Sequence, residues 1–466
     1  MVFSSQLFLT VFLPLTVVLY WLLPKKAKNI LLLLVSLVFY AWGEPTHIFV
    51  MLITTAYIWV FGLLVDRAKK KHMPGAAKLF LVLTLVLSLG TLVFFKYTGF
   101  LVDNLSFLKD TALGGLNIAL PIGISFYTFQ ALSYIIDVYR GDVKAQKSWV
   151  NFAMYISLFP QLIAGPIVRY ADVENQLDDR KVTFDGMAQG IQRFVLGLGK
   201  KVLLANQIGA LWETLSGNGT VLGAWLGAVA FAFQIYFDFS AYSDMAIGLG
   251  RMFGFEFTEN FRHPYESASV TEFWRRWHIT LGTWFREYVY IPLGGNRKGK
   301  GRQVLNLLIV WFLTGFWHGA AWQFILWGLY YFLFLAAEKL FLQKTLQKLP
   351  GFLRHGYALL AVVLGWVLFA CEDIGAAGNM YRAMIGLGSG LADKAALYYL
   401  SGSWLMLIVC AIGSTQLPKR MAGVLQRRLS PQVFQYVSYG VILLVLFVSM
   451  AFLVADSYNP FLYFRF

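Results

Sequence analysis

The sequence predicts an all-α polytopic membrane protein, and three observations carry that prediction. Of its 466 residues, 58% are hydrophobic and only 14% are charged, whereas ordinary soluble domains carry about 25% charged residues. Apolar runs near the ~20 residues that cross a bilayer recur from one end to the other. The basic residues gather in short loops between those runs: PKKAKN at Pro24–Asn29, DRAKKKH at Asp66–His72, NRKGKGR at Asn296–Arg302 and PKRMAGVLQRR at Pro418–Arg428. This is the cytoplasmic excess of the positive-inside rule. It accounts for a formal charge of +15 without calling on nucleic acid.

The first run, MVFSSQLFLTVFLPLTVVLYWLLPKK, has no basic start and no A-x-A-like cleavage site, and its charges follow the apolar stretch. It reads as a retained first span with the N-terminus outside, not as a signal peptide. Spans are expected near 6–23, 29–43, 47–65, 78–98 and 117–138, with PKKAKN, DRAKKKH and YRGDVKAQK inside. Further runs lie near 186–205, 219–248, 303–319, 321–338, 356–371, 396–416 and 434–454, giving about eleven to thirteen crossings. Segment 148–170, SWVNFAMYISLFPQLIAGPIVRY, is interrupted by Pro160, Gly165 and Pro166. A broken or re-entrant helix is expected there, its backbone covered by protein. With no repeat, low-complexity tract or long linker, a single membrane domain over 1–466 is the simplest organisation.

Segment 271–291, TEFWRRWHITLGTWFREYVYI, differs in kind. On a helix, Phe273, Trp274, Trp277, Leu281, Trp284, Phe285 and Tyr288 share one face, and Glu272, Arg275, Arg276, Arg286 and Glu287 the other. Such a pattern describes an amphipathic helix lying at the membrane interface. His278 falls beside Trp274, Leu281 and Phe285 and points toward protein. Arg275 and Arg276 face phosphate, either of a substrate or of anionic lipid.

A second histidine stands in TGFWHGAAW, Thr314–Trp322, between two apolar runs that form a hairpin over 303–338. Ionisable groups are costly in a membrane and default to a functional hypothesis. The alternative for His318 is a packing residue bonded to a carbonyl, with Gly319 and Ala320 allowing close approach. An imidazole with a pKa near 6.5 takes and returns a proton at neutral pH, which suits general acid–base work by His318 and His278. The other histidines, His47, His72, His263 and His355, lie in loops or at a span entrance, where no special role is required. Within QIYFDFSAYSDMAIGLGRMFGFE, Gln234, Asp238 and Tyr242 recur every four residues, as do Ser240 and Asp244. These stripes line a watery path, pair with Arg251 or Arg275, or serve as interhelical glue. Cys371 and Cys410 lack metal-ligand spacing and read as buried inert thiols, so no metal site is expected.

The run QIYFDFSAYSDMAIGLGRMFGFE, NFRHPY, TEFWRRWHITLGTWFREYVYIPLGGNR and TGFWHGAAWQFILWG closely resembles the membrane-bound O-acyltransferase family, in particular its bacterial alginate O-acetyltransferase branch. The opening MVFSSQLFLTVFLPL and the closing NPFLYFRF look like that branch's two ends, so the likeness covers nearly the whole chain. The resemblance implies a ring of transmembrane helices with interfacial and re-entrant pieces around a thinned centre. It implies that His318 is the catalytic histidine and His278 the second signature residue. Trp277, Trp317, Asp238, Ser240 and Asp244 become candidates for substrate or donor contact, beside Arg275 and Arg276. It further implies a multi-pass enzyme of the bacterial cytoplasmic membrane, embedded in membrane lipids and working in exopolysaccharide (alginate) biosynthesis. The enzyme would bind no cofactor and take acetyl from acetyl-CoA or another cytoplasmic thioester. The group would pass across the membrane to an extracytoplasmic SGNH-type acetyltransferase that modifies the polysaccharide.

Within the same family, D-alanyl transfer to teichoic acid and acylation of a lipid or protein are alternatives. From a different class, a proton-coupled transporter would use His318 and Asp238 as a relay. Such transporters often carry paired half-repeats, which this sequence does not show.

Overall fold

Each of the apolar runs expected to cross the membrane forms a helix in the computed structural model, which describes residues 1–111, 113, 115, 116, 118–455, 461 and 462. No strand occurs among the described residues. The closing NPFLYFRF lies outside them, apart from Phe461 and Leu462. Among the described residues, eight helices are long and apolar enough to cross a bilayer: Ile48–Lys70, Pro74–Asn104, Phe184–Leu215, Val221–Met252, Trp322–Leu346, Gly351–Ala370, Lys394–Gly413 and Pro431–Ala455. The other expected runs form helices too, each shorter or less uniformly apolar. Phe8–Leu22 is shorter, Lys25–Ala41 and Ile124–Arg140 have 17 residues each, and Gly299–His318 opens on a basic turn. The protein is a multi-pass membrane protein. Pro431–Ala455 is strongly apolar yet almost none of it is buried by protein, and Phe447 is 74% exposed, the pattern of a helix that faces lipid.

The chain forms two compact units, Met1–Phe194 with Ser243–Glu259, and Val195–Tyr242 with Asn260–Phe466. In the first unit, Ile124–Arg140 is buried along most of its length. Its last carbonyls, those of Val138 and Tyr139, accept bonds from Lys69 Nζ at 3.2 and 2.9 Å, a favourable place for a cation. Segment 148–170 begins as the helix Trp149–Ser157 and then leaves helical geometry until Tyr170. Its non-helical stretch is buried, and protein groups meet part of its backbone. Ser36 Oγ accepts the Phe159 N–H at 3.1 Å, and Tyr155 donates to the Val168 carbonyl at 2.9 Å. The broken helix follows from its prolines, and these bonds cover part of the backbone it leaves unpaired, as a low-dielectric setting favours.

The second unit is built around a cluster of buried aromatic and aliphatic side chains, among them Trp277, Trp311, Trp327, Tyr331, Trp366 and Phe369. Its hairpin consists of Gly299–His318 and Trp322–Ala337. The two backbones touch at a glycine pair. A Cβ on Gly315 would lie 2.3 Å from the Phe324 carbonyl oxygen, and one on Gly328 would lie 2.3 Å from that of Trp311. Neither position has room for a side chain. Small residues let membrane helices approach this closely, and here they fix the turn that carries His318.

Candidate active site

The segment expected as one amphipathic helix over 271–291 is instead two short helices, Val270–Arg276 and Ile279–Phe285, followed by a π turn at Arg286–Tyr290. The break falls on His278, which adopts a left-handed conformation (φ 44°, ψ 53°). Such a conformation is uncommon for a side chain of this size and needs support from outside the helix. Asn260 supplies it. Its carbonyl oxygen accepts the Ile279 N–H at 3.0 Å and its Oδ1 accepts the Thr280 N–H at 3.3 Å, drawing the chain out of helical register.

The first short helix is held at its N-terminus from two sides. Ser269 accepts the Glu272 N–H at 3.0 Å while Glu272 accepts the Ala268 N–H at 2.9 Å. The fully buried carboxylate of Glu338 accepts the N–H groups of Val270 and Thr271, each at 2.8 Å, and the Tyr357 hydroxyl at 3.0 Å. Several donors that a helix start leaves unpaired are thereby satisfied by negative charge. Sequence reasoning missed Glu338 and Asn260, which are single polar residues with no periodic signature. The one available signal for Glu338 was an acid ending an apolar run.

His278 and His318 are 2% and 7% exposed, and Trp317 lies beside both rings, with centroid distances of 6.2 and 5.0 Å. His318, the last residue of its helix, also meets Trp327 and Phe369 edge-on at 5.1 and 5.3 Å. It lines a cavity of about 20 Å³ with Ile235, Phe239, Trp277, Trp366 and Leu462. His278 packs against Phe239 at 4.8 Å and lines a different, larger cavity of about 250 Å³. Arg275, Arg286 and Lys339 border that space together with Trp274, Trp277, Trp311 and Tyr290. Trp277 belongs to both walls. The larger space therefore joins cations to an aromatic interior, and the smaller is almost wholly apolar.

Burial lowers the His278 pKa to about 3 from its ordinary 6.5, because desolvation penalises the charged ring. At neutral pH this imidazole is an uncharged group with one nitrogen able to accept a proton.

The remaining candidates separate. Trp277 and Trp317 stand at the site. Arg275 is exposed and lines the larger cavity, whereas Arg276 is held by Glu272 at 2.6 Å and Glu266 at 3.7 Å and does not line it. Asp238 and Asp244 each meet a cation from another element among the described residues. Asp238 forms a buried ion pair with Lys201 at 2.6 Å and accepts the Leu462 N–H at 2.7 Å. Asp244 pairs with Arg193, which also grips Glu259. Both carboxylates act as glue between elements. Ser240 is buried away from both cavity walls. His47 meets Glu44 at 2.5 Å and His355 the Ser267 carbonyl at 3.2 Å, while His72 and His263 sit in left-handed turns. Burial raises the Cys371 thiol to about 11 and Cys410 is buried too, so neither offers a thiolate.

Residues 144–374 match the model of the membrane-bound O-acyltransferase family. The chain is 41% identical to the probable alginate O-acetylase AlgI of Azotobacter vinelandii over 505 aligned positions, covering 100% of both chains. It is 44% identical to the probable alginate O-acetylase AlgI of Pseudomonas aeruginosa, covering 84% of this chain and 76% of that one. It is 33% identical to the peptidoglycan O-acetyltransferase of Helicobacter pylori, covering 83% of this chain and 80% of that one. The chain belongs to the membrane-bound O-acyltransferase family, on the branch of its alginate O-acetylase relatives, and is a multi-pass membrane O-acetyltransferase.

Proposed function

We propose that the protein takes an acetyl group from a cytoplasmic thioester of the acetyl-CoA kind and passes it across the bacterial cytoplasmic membrane for O-acetylation of an exopolysaccharide. An extracytoplasmic SGNH-type acetyltransferase completes the transfer. One observation carries this reading: two buried histidines flank Trp317, one lining a cation-bordered cavity and the other an apolar cavity of about one water's size. The larger cavity receives the thioester, with Arg275, Arg286 and Lys339 meeting its phosphates and the aromatic interior taking its arm. His318 accepts the proton of the attacking hydroxyl as the C–O bond forms and the C–S bond breaks, and the leaving sulfur recovers a proton. The names of the full-length relatives, alginate O-acetylases, support a polysaccharide as the final acceptor.

The depth of His318 supports transfer across the membrane. Arg302, in a basic loop, and His318 belong to the same helix, Gly299–His318. Sixteen residues of α-helix span ~24 Å, a length that separates the imidazole from the basic loop and suits transfer toward the far side.

The test uses purified protein in sealed vesicles, with labelled acetyl-CoA on the side of the basic loops. Label should reach polysaccharide on the opposite side once the partner acetyltransferase is supplied. A thioester that is never consumed would sink the enzymatic reading and favour a transporter. Label acylating acceptors only on the donor's side would confine the chemistry to the inner face, and use of a D-alanyl carrier in place of acetyl-CoA would favour teichoic-acid chemistry.

In the same assay, Arg275→Glu is expected to raise the donor KM by about tenfold or more with little change in kcat, since a charge-assisted hydrogen bond is worth roughly 1.5–3 kcal/mol. Arg276→Glu should leave KM near the native value, because Arg276 is already held by Glu272 and Glu266. Equal effects of the two reversals would show that the cavity wall does not select the donor.

A further inference from the structure

We propose that Asn260 is a positioning residue that fixes His278 in the Nδ1–H tautomer and leaves Nε2 as a bare hydrogen-bond acceptor for whatever enters the larger cavity. The proposal rests on the reading of that cavity as the donor site. Asn260 is fully buried. Its Oδ1 receives three groups: the Thr280 N–H at 3.3 Å, the Thr280 hydroxyl at 2.9 Å and His278 Nδ1 at 3.1 Å. A backbone N–H can only donate, so the atom it meets is the amide oxygen, not the amide nitrogen. An amide oxygen can only accept, so His278 Nδ1 must carry a hydrogen. With the ring neutral, Nε2 then has a lone pair and no proton. Nε2 is buried and meets no hydrogen-bond partner among the described residues, an expensive state for a polar atom unless a ligand or water completes it. The histidine to which it belongs lines the 250 Å³ cavity.

The same amide does two things at once. Through Thr280 N–H it holds the left-handed break that turns His278 inward, and through Nδ1 it sets which ring nitrogen carries the hydrogen. Backbone position and tautomer are thus set by one side chain, 18 residues upstream of the ring it serves.

The experiment is nitrogen NMR on protein carrying ¹⁵N-histidine in bilayers at neutral pH, with the His278 signals assigned by their loss in His278→Asn. Native protein should show a protonated Nδ1 and an unprotonated Nε2 for this ring. Asn260→Asp keeps an oxygen acceptor opposite Nδ1 and should keep the hydrogen on Nδ1, while Asn260→Ala should shift the ring toward Nε2–H. A native His278 protonated on Nε2 overturns the proposal without any variant being needed, as does an unchanged tautomer in a folded Asn260→Ala protein. Full acetyl transfer by His278→Asn, with the Nδ1–H signature present in the native protein, would leave the tautomer standing and remove His278 from the chemistry. The two failures are therefore told apart.

Discussion

Replacing His318 with alanine is expected to lower acetyl transfer by roughly 10²–10⁴-fold, the usual cost of losing a general base, while the protein still inserts and folds. The expectation follows from its surroundings. The ring touches Trp317, Trp327 and Phe369 and lines a cavity with almost no polar wall. In so apolar a space, a proton leaving an attacking hydroxyl has few places to go besides the imidazole. Alanine also leaves a void among large rings, so part of any loss could come from packing. His318→Gln separates the two causes, since it keeps much of the volume and a polar end but cannot take up the proton as imidazole does. Both variants should lose transfer, and the glutamine protein should melt closer to the native one. Transfer near the native rate in a well-folded glutamine protein would remove His318 from the proton path.

Much of the architecture was legible because membrane helices write themselves as apolar runs. The hairpin around TGFWHGAAW was readable from composition, and the broken segment at 148–170 from Pro160, Gly165 and Pro166. The burial of His278 was reached by a route that the structure replaces. A straight helical wheel placed its ring beside Trp274, Leu281 and Phe285, whereas the ring is buried because the helix stops there and Asn260 turns the chain. No local pattern announces such a break, since its cause lies on another strand of sequence. For the same reason the stripe of Asp238 and Asp244 was seen and its partners were not. Periodicity says that residues share a face; it does not say that Lys201 waits opposite one carboxylate and Arg193 opposite the other. Glu338 was invisible on this ground too, because its partners are two backbone N–H groups 67 and 68 residues upstream.

Asp238→Ala is expected to destabilise the second unit by roughly 3–5 kcal/mol, the cost of leaving one partner of a buried ion pair uncompensated. Lys201 and Asp238 are 2% and 3% exposed and lie 2.6 Å apart. The lysine also sits over the Phe461 ring at 4.7 Å, and the carboxylate holds the Leu462 N–H at 2.7 Å. Loss of Asp238 therefore takes a buried carboxylate from Lys201 and frees Leu462, which is part of the wall around His318. Lys201→Met should be comparably harmful, since it strands the carboxylate. The double variant Lys201→Met with Asp238→Leu should melt nearer to the native protein than either single variant, because a buried pair can be exchanged for apolar contacts at small net cost. A melting series on the four proteins in one detergent decides the matter. If Asp238 were instead a proton relay, as a transporter would need, its alanine variant would lose function without losing stability, and removing Lys201 as well would rescue nothing. A glue residue gives the reverse: stability falls with each single change and returns with the pair, and acetyl transfer follows stability.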